Sequence, residues 1–462
     1  MYPGERSVVH IPDRSGLEKS EKLNGLLIKS TIVAALGGLL FGFDTAVIAG
    51  ATGALSSLYH LSPGSLGLTV AIALWGSIIG AMLAGIPGDR YGRRDSLRGL
   101  AILFFVSAIG CAMAWSWLSF VVCRFIAGLA IGGSSVLGPM YIAEISPAKW
   151  RGRLVGFFQF NVVFGILLAY LSNFLIGTMT LGQTEWRWKL GISAAPAAFF
   201  FLMLFTIPRS PRWLVKKGRF EEAGRVLKEL GDSDGREDLR RIVESIDAEH
   251  VGAKQHLFSR RFRFPVILAI LVAMFNQLAG INSILYYLND IFARAGFTKV
   301  SGDFQAVVIG ATNLFFTTVA MLVIDKLGRK TMLLIGSVGT SLCLATVSYL
   351  FHTGEHARLL IWPLIGYIAF FAFSQGAVIW VYISEVFPNA VRAKGQSLGS
   401  FTHWLMTAVL SWIFPLLSAH SASVPFAFFS VMMVAQFFVV LFVFPETKGI
   451  SLEEMQKKLG IA

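Results

Sequence analysis

The sequence predicts an all-α membrane protein: twelve transmembrane helices in two six-helix halves, joined by a cytoplasmic helical linker. Three observations carry this. Of 462 residues, 55% are hydrophobic and 15% charged, with a mean hydropathy of +0.65, more apolar surface than a soluble core of this size needs. Apolar runs of about 20 residues, enough to cross a hydrocarbon core of about 30 Å, recur along the chain. The loops between these runs also repeat, the second half echoing the first.

Residues 1–29 are polar and charged and read as a cytoplasmic tail. No secretion signal is expected, because the apolar run that follows is too long for one. Six spans follow at 30–53, 66–86, 98–117, 119–143, 153–178 and 188–207, forming an N-terminal bundle over 30–207. A very short turn joins the third and fourth. Residues 208–263 differ in kind, with fourteen Lys or Arg and ten Asp or Glu. Apolar residues recur there at helical spacing: Phe220, Ala223, Val226, Leu227 and Leu230, then Leu239, Ile242, Val243 and Ile246. That pattern reads as short amphipathic helices under the bundle. No phosphate loop, zinc spacing or nucleophile constellation occurs in it, so it is a structured linker. Six further spans at 264–292, 303–324, 330–351, 359–386, 394–418 and 424–444 form the C-terminal bundle over 264–444, and 445–462 is a short cytoplasmic tail.

Charge placement sets the orientation. Loops after the even-numbered spans carry Arg90, Arg93, Arg94, Arg151, Arg153, Lys326, Arg329, Lys330, Arg392 and Lys394, whereas Arg187, Arg294, Lys299 and Arg358 are the main exceptions opposite. Both termini and the linker are therefore expected in the cytoplasm. A basic face against anionic lipid accounts for the net charge of +13, and no nucleic-acid partner is expected. Cys111, Cys123 and Cys343 fall inside spans without ligand spacing and read as small core residues. No metal or cofactor is expected.

The repeat is visible in four loops. Gly88 to Arg94 (GDRYGRR) stands between spans 2 and 3, and Asp325 to Lys330 (DKLGRK) between spans 8 and 9. Glu144 to Arg153 (EISPAKWRGR) follows span 4, and Glu385 to Gly395 (EVFPNAVRAKG) follows span 10. Matching motifs at matching positions indicate a six-plus-six parallel repeat. Their glycines permit tight turns, and Pro147 and Pro388 break their helices. Topology alone needs the arginines but not the acids. Asp89, Glu144, Asp325 and Glu385, with Arg93, Arg153, Arg329 and Arg392, are therefore expected to gate the halves by pairing across helix ends.

Polar residues inside the spans are the candidate functional groups. Asp44, in the run from Gly37 to Gly50, is an acid within a membrane helix, and such residues usually face a cavity or an ion pathway. Arg124 lies at the same outer depth of span 4. An arginine beside a carboxylate favours its charged form, desolvation the neutral one, and a balance that shifts as a cavity opens suits proton coupling. A static buried ion pair is the alternative. At about 1.5 Å per residue, Gln159, Asn276, Gln277, Asn313, Gln375 and His403 fall near mid-membrane. Amides that donate and accept suit an uncharged ligand with many hydroxyls, and Trp380 and Trp404 can stack on its apolar face. Inter-helix hydrogen bonding is the alternative for any single amide. His60, His352, His356 and His420 are isolated at outer loops, and nothing supports an enzyme.

Further motifs complete the pattern: Arg209 to Leu214 (RSPRWL), Asn276 to Tyr287 (NQLAGINSILYY) and Pro445 to Gly449 (PETKG). Together with the four loops they make the chain resemble a sugar porter of the major facilitator superfamily, from Phe41 to Gly449. Bacterial proton–sugar symporters and animal glucose facilitators are the similar groups. The resemblance implies sugar contacts at Gln159, Gln277, Asn282 and Asn313, pocket tryptophans at Trp380 and Trp404, and gating by Phe41, Tyr286 and Tyr287. It departs at Asn276, where the family usually has glutamine, and at Gln375 and His403, where the bacterial xylose symporter has tryptophan and glutamine. Ile166 matches the glucose facilitators. Ala377 replaces a common proline, and Arg209 a usual glutamate. Asp44 is aspartate in the resembling symporters and asparagine in the uniporters. The expectation is import of a monosaccharide, an aldohexose such as D-glucose favoured, with a proton, by a monomer in a bacterial inner membrane. The alternatives are an uncoupled uniporter, a D-xylose–proton symporter and a non-transporting sensor.

Overall fold

The computed structural model describes residues 24–147, 149–231, 239–245, 256–450 and 452–461; most of the N-terminal tail and Ile246 of the linker lie outside them. Among the described residues every regular element is helical. Five unbroken helices come first: α1 (Gly25–Val47), α2 (Pro63–Leu83), α3 (Arg93–Ala112), α4 (Trp117–Ile145) and α5 (Arg151–Gly177). α6 is in two pieces, Glu185–Gly191 and Ala194–Met203. α7 is in three: Arg263–Leu278, Ile281–Tyr286 and Leu288–Arg294. Then come α8 (Lys299–Leu327), α9 (Arg329–Thr353), α10 (Ile361–Phe373 and Gln375–Val386), α11 (Asn389–His420) and α12 (Val424–Val443).

Among the described residues, eleven spans are long and apolar enough to cross a membrane as single or joined helices. α6 makes the twelfth only as a bent pair, which corrects the expected continuous run. Pro196 has no N–H to offer the Ile192 carbonyl, and Ala195 bonds that carbonyl at 3.1 Å instead, in a tight turn. Breaks in α7 and α10 are likewise absent from the expected spans.

The loop motifs are more helical than expected. Gly85–Tyr91 forms its own helix, with Gly88 buried inside it rather than at a turn. The turn falls at Gly92 (φ 91°, ψ 158°), and its counterpart Gly328 adopts φ 91°, ψ 155°. The two halves of the sequence thus repeat at the level of one backbone conformation. Helices approach closely where small residues face each other: a Cβ on Gly128 or Gly132 of α4 would lie 2.0 Å from the Ala73 or Ser77 carbonyl of α2.

In the linker, Ser210 caps Pro211–Lys216 by accepting from the Trp213 N–H at 3.2 Å. Ala223, Val226 and Leu227 of the helix Phe220–Glu229 are buried as expected. Phe220 is not; it is 49% exposed. Leu239, Ile242 and Val243 pack on the core.

Candidate functional site

Two helix breaks carry the polar cluster. In α7, Gly280 adopts a left-handed conformation (φ 82°), and a Cβ there would sit 2.3 Å from the Phe429 ring of α12. In α10 the break is Ser374 (φ −117°, ψ −86°). Interrupted backbone inside a membrane persists only where it is buried in protein or lines a cavity, because freed groups need partners. Here the Tyr367 hydroxyl donates to the Ala279 carbonyl at 2.8 Å, and the Asn276 amide donates across to the Gln375 carbonyl at 3.1 Å.

Around the breaks, the predicted amides form one network. Gln277 Nε2 donates to Asn276 Oδ1 at 2.8 Å and lies 2.8 Å from His403 Nε2, while Gln277 Oε1 accepts from Asn282 Nδ2 at 2.9 Å. An amide donor facing Nε2 puts the His403 proton on Nδ1, which is buried without a partner. The His403 ring lies 5.2 Å from Trp380 and 5.7 Å from Trp404. Trp404 meets Phe41 of α1 at 5.3 Å. Gln159, Ile166 and Asn313 lie on α5 and α8 outside this network; Asn313 Oδ1 accepts from Thr317 at 3.4 Å. Gln375 faces away from the other amides, donating to Gln436 Oε1 at 2.9 Å and Met433 Sδ at 3.1 Å on α12. Sequence reasoning passed over Gln436, although an amide within an apolar span was a visible signal.

Asp44 and Arg124 meet as expected. Arg124 Nη1 donates to Asp44 Oδ1 at 2.7 Å, with side-chain exposures of 3% and 13% for the arginine and the acid. Tyr286, buried on the short middle piece of α7, lies beside this pair, and the Thr45 hydroxyl donates to the Phe41 carbonyl at 2.9 Å. Tyr287 stacks on Phe414 at 5.2 Å and donates to the Ser411 carbonyl at 3.1 Å.

At the end where α1 begins and α12 finishes, the acids and arginines pair between neighbouring helix ends. Arg93 meets Glu144 at 3.0 Å and Asp89 at 2.9 Å; Arg329 meets Glu385 at 2.8 Å and Asp325 at 3.0 Å. Each set stays within its own group of six helices. Arg153 lies over the Trp150 ring at 5.4 Å, and Arg392 Nε donates to the Phe387 carbonyl at 3.4 Å. Arg209 binds Asp95 at 3.0 Å, while its neighbour Ser210 donates to Glu144. Glu446 of the PETKG motif caps α9, accepting from the Arg329, Lys330, Thr447 and Lys448 N–H groups at 2.9–3.0 Å. Burial alone would raise its pKa, but these backbone donors hold it below the ordinary glutamate value.

At the opposite end the two groups of six touch. The Tyr170 hydroxyl donates to the Leu285 carbonyl at 2.8 Å, Trp412 Nε1 to the Gly64 carbonyl at 3.2 Å, and Lys189 Nζ to Asp303 Oδ2 at 2.9 Å. None of these contacts was anticipated.

A family model described as "Sugar (and other) transporter" matches residues 30–459. The arabinose–proton symporter of Bacillus subtilis (strain 168) is 36% identical, over 94% of this chain and 95% of its own. The D-xylose–proton symporter of Escherichia coli (strain K12) is also 36% identical, covering 92% and 94%. A glucose transport protein of Synechocystis sp. is 34% identical over 92% and 95%. Among solved structures, the xylose transporter XylE from E. coli in a partially occluded inward-open conformation gives a TM-score of 0.83 at 33% identity, covering 93% of this chain and 100% of that one. The same transporter bound to 6-bromo-6-deoxy-D-glucose gives 0.77 at 34% identity, covering 94% and 99%.

Proposed function

The chain belongs to the sugar (and other) transporter family, and from that premise we propose that it imports a monosaccharide together with a proton by alternating access. The observation that carries coupling is the buried Asp44–Arg124 pair, the one place in α1 where a membrane helix bears an acid. A carboxylate that gains a proton loses most of its attraction for the guanidinium, so protonation and the packing of α1 on α4 are linked.

The amide network supports sugar binding. Gln277 and Asn282 offer donors and acceptors, His403 a free N–H, and Trp380 and Trp404 flat apolar faces. Phe41 of α1 brings the first six helices against that surface at Trp404. An aldohexose such as D-glucose is the favoured substrate, on the strength of Ile166 and His403; Gln375, turned toward α12, adds nothing to that preference. The relatives named for arabinose and xylose favour a pentose as the second reading.

The two groups of six act as halves rocking about the site, with boundaries at 30–207 and 264–444 and the linker between them. Both termini are cytoplasmic, the protein is a monomer, and its place is the cell membrane. The conformation described is inward-facing, supported by the contacts between halves at the outer end and by the higher likeness to the inward-open relative. Uptake of labelled glucose, xylose and arabinose into proteoliposomes, with and without an inward proton gradient, tests the reading. Saturable equilibration indifferent to the gradient would make the protein a uniporter.

A further inference from the structure

Four charged side chains and an amide meet between the halves at the outer end. Lys189 of α6 places Nζ 2.9 Å from Asp303 Oδ2 of α8, and both side chains are 0% exposed. The same ammonium lies 2.9 Å from Glu185 Oε1, one turn earlier. Glu185 Oε2 is 2.7 Å from Lys299 Nζ of α8, and Asn289 donates to Asp303 Oδ1. Gly177, the last residue of α5, leaves the space that the acid fills: a Cβ there would lie 2.7 Å from Asp303 Oδ2. A cavity of about 460 Å³, lined by Glu185, Asn289, Asp290 and Lys299, adjoins the cluster. None of these groups belongs to the amide network or to the Asp44 pair.

We propose that Lys189 and Asp303 form an outer lock that sets the balance between the inward- and outward-facing states. The proposal rests on the transporter reading above. α6 and α8 lie in different halves, so outward opening must part the two charges and hydrate each in the vestibule that forms. While the outer end is shut, each charge tolerates its dry surroundings only because the other is there. Removing one partner from a buried pair leaves an uncompensated charge, whereas removing both does not. The closed outer end therefore suffers from either single loss and recovers with the second.

The surroundings make the two losses unequal. Without Asp303, Lys189 still has Glu185. Without Lys189, Asp303 keeps only the Asn289 amide, with the Glu185 carboxylate nearby. Lys189→Met should thus open the outer end more than Asp303→Leu. Lys299 is 59% exposed in its side chain, and a pair with one exposed member contributes little, so Lys299→Met should do least.

The test is a distance measured between spin labels at Trp115→Cys and Glu355→Cys, exposed outer positions on the two halves. The full chain is used in lipid nanodiscs, with the three native thiols replaced by alanine. Lys189→Met should raise the outward-to-inward ratio at least about tenfold, Asp303→Leu by less, and the double variant should return to the parent distribution. Gly177→Ala, which keeps both charges but displaces the Asp303 carboxylate, should shift the ratio in the same direction. Equilibrium sugar binding by each variant reports that it is folded. An unshifted Lys189→Met, or a double variant as open as Lys189→Met, overturns the lock. Absence of sugar binding by the parent would strike the transporter reading instead and leave the distance result standing.

Discussion

Replacing Asp44 by asparagine separates coupling from transport. The change preserves size and an oxygen able to accept the 2.7 Å hydrogen bond from Arg124 Nη1, but it removes the titratable group. With one proton per sugar and no membrane potential, a gradient of one pH unit supplies about 1.4 kcal/mol, enough for about tenfold accumulation. Wild-type protein in vesicles one unit more acidic outside should approach that ratio. Asp44→Asn should stop at equal concentrations while still exchanging labelled sugar. The fold also bears a cost, because Arg124 is 3% exposed and loses its countercharge. Loss of one partner of a buried pair costs about 3–5 kcal/mol, and the retained hydrogen bond holds this case to the low end, so a lower Tm in detergent is expected. A variant that accumulates sugar as well as wild type would refute the reasoning. One that neither accumulates nor exchanges, yet matches wild type in Tm and sugar binding, would refute it too, by showing that Asp44 serves movement rather than coupling.

Glu446→Gln should remove about 1–3 kcal/mol, because the α9 cap loses its charge. The folded pKa is depressed, so this stabilisation is present above the ordinary glutamate value of about 4.3 and is lost as pH falls through the folded value. The Tm gap to wild type should hold from pH 7 to 5 and close on further acidification; a widening gap would contradict the cap. Gly280→Ala should cost at least about 1–2 kcal/mol for the left-handed conformation plus the collision with Phe429. Adding Phe429→Leu should relieve only the collision, and full recovery of Tm would show that the backbone is not strained. Gln277→Ala should raise the sugar Kd about tenfold or more, as expected when hydrogen bonds to a buried site are lost, with the proton-driven accumulation ratio unchanged. An unchanged Kd would make the amide network inter-helix glue.

Span positions are legible because hydropathy measures what the bilayer requires. The repeat is legible because identical turns need identical residues: Gly92 and Gly328 share one conformation, and Arg93 and Arg329 find equivalent acids in Glu144 and Glu385. The helix breaks are not legible. A broken span keeps the composition of a whole one, and the break at Gly280 depends on the Phe429 ring and the Tyr367 hydroxyl, both from distant helices. Lys189 and Asp303 stand at the edges of the expected spans, where charges ordinarily meet water. Their pairing spans 114 positions, and no local pattern encodes it. Gln436 is a different case, since its residue type inside an apolar run was signal enough.

If the protein works as proposed, the breaks would also tie movement at the outer contact between the halves to the amide network. Each exposes a carbonyl that hydrocarbon cannot satisfy. Two of the freed or neighbouring carbonyls, those of Ala279 and Gln375, find partners in the C-terminal half, from Tyr367 and Asn276. The Leu285 carbonyl is bonded instead by Tyr170 of α5, in the other half. Outward opening removes that donor, so water in the vestibule or a rewound turn of helix must replace it. The piece affected is Ile281–Tyr286, which carries Asn282 and Tyr286 four residues apart and hence on one helical face. Asn282 bonds Gln277 in the amide network, and Tyr286 faces the Asp44–Arg124 pair. On the proposed reading, a single six-residue segment meets the amide network, the Asp44–Arg124 pair and the outer contact between the halves, and its hydrogen bonds would differ between the two states.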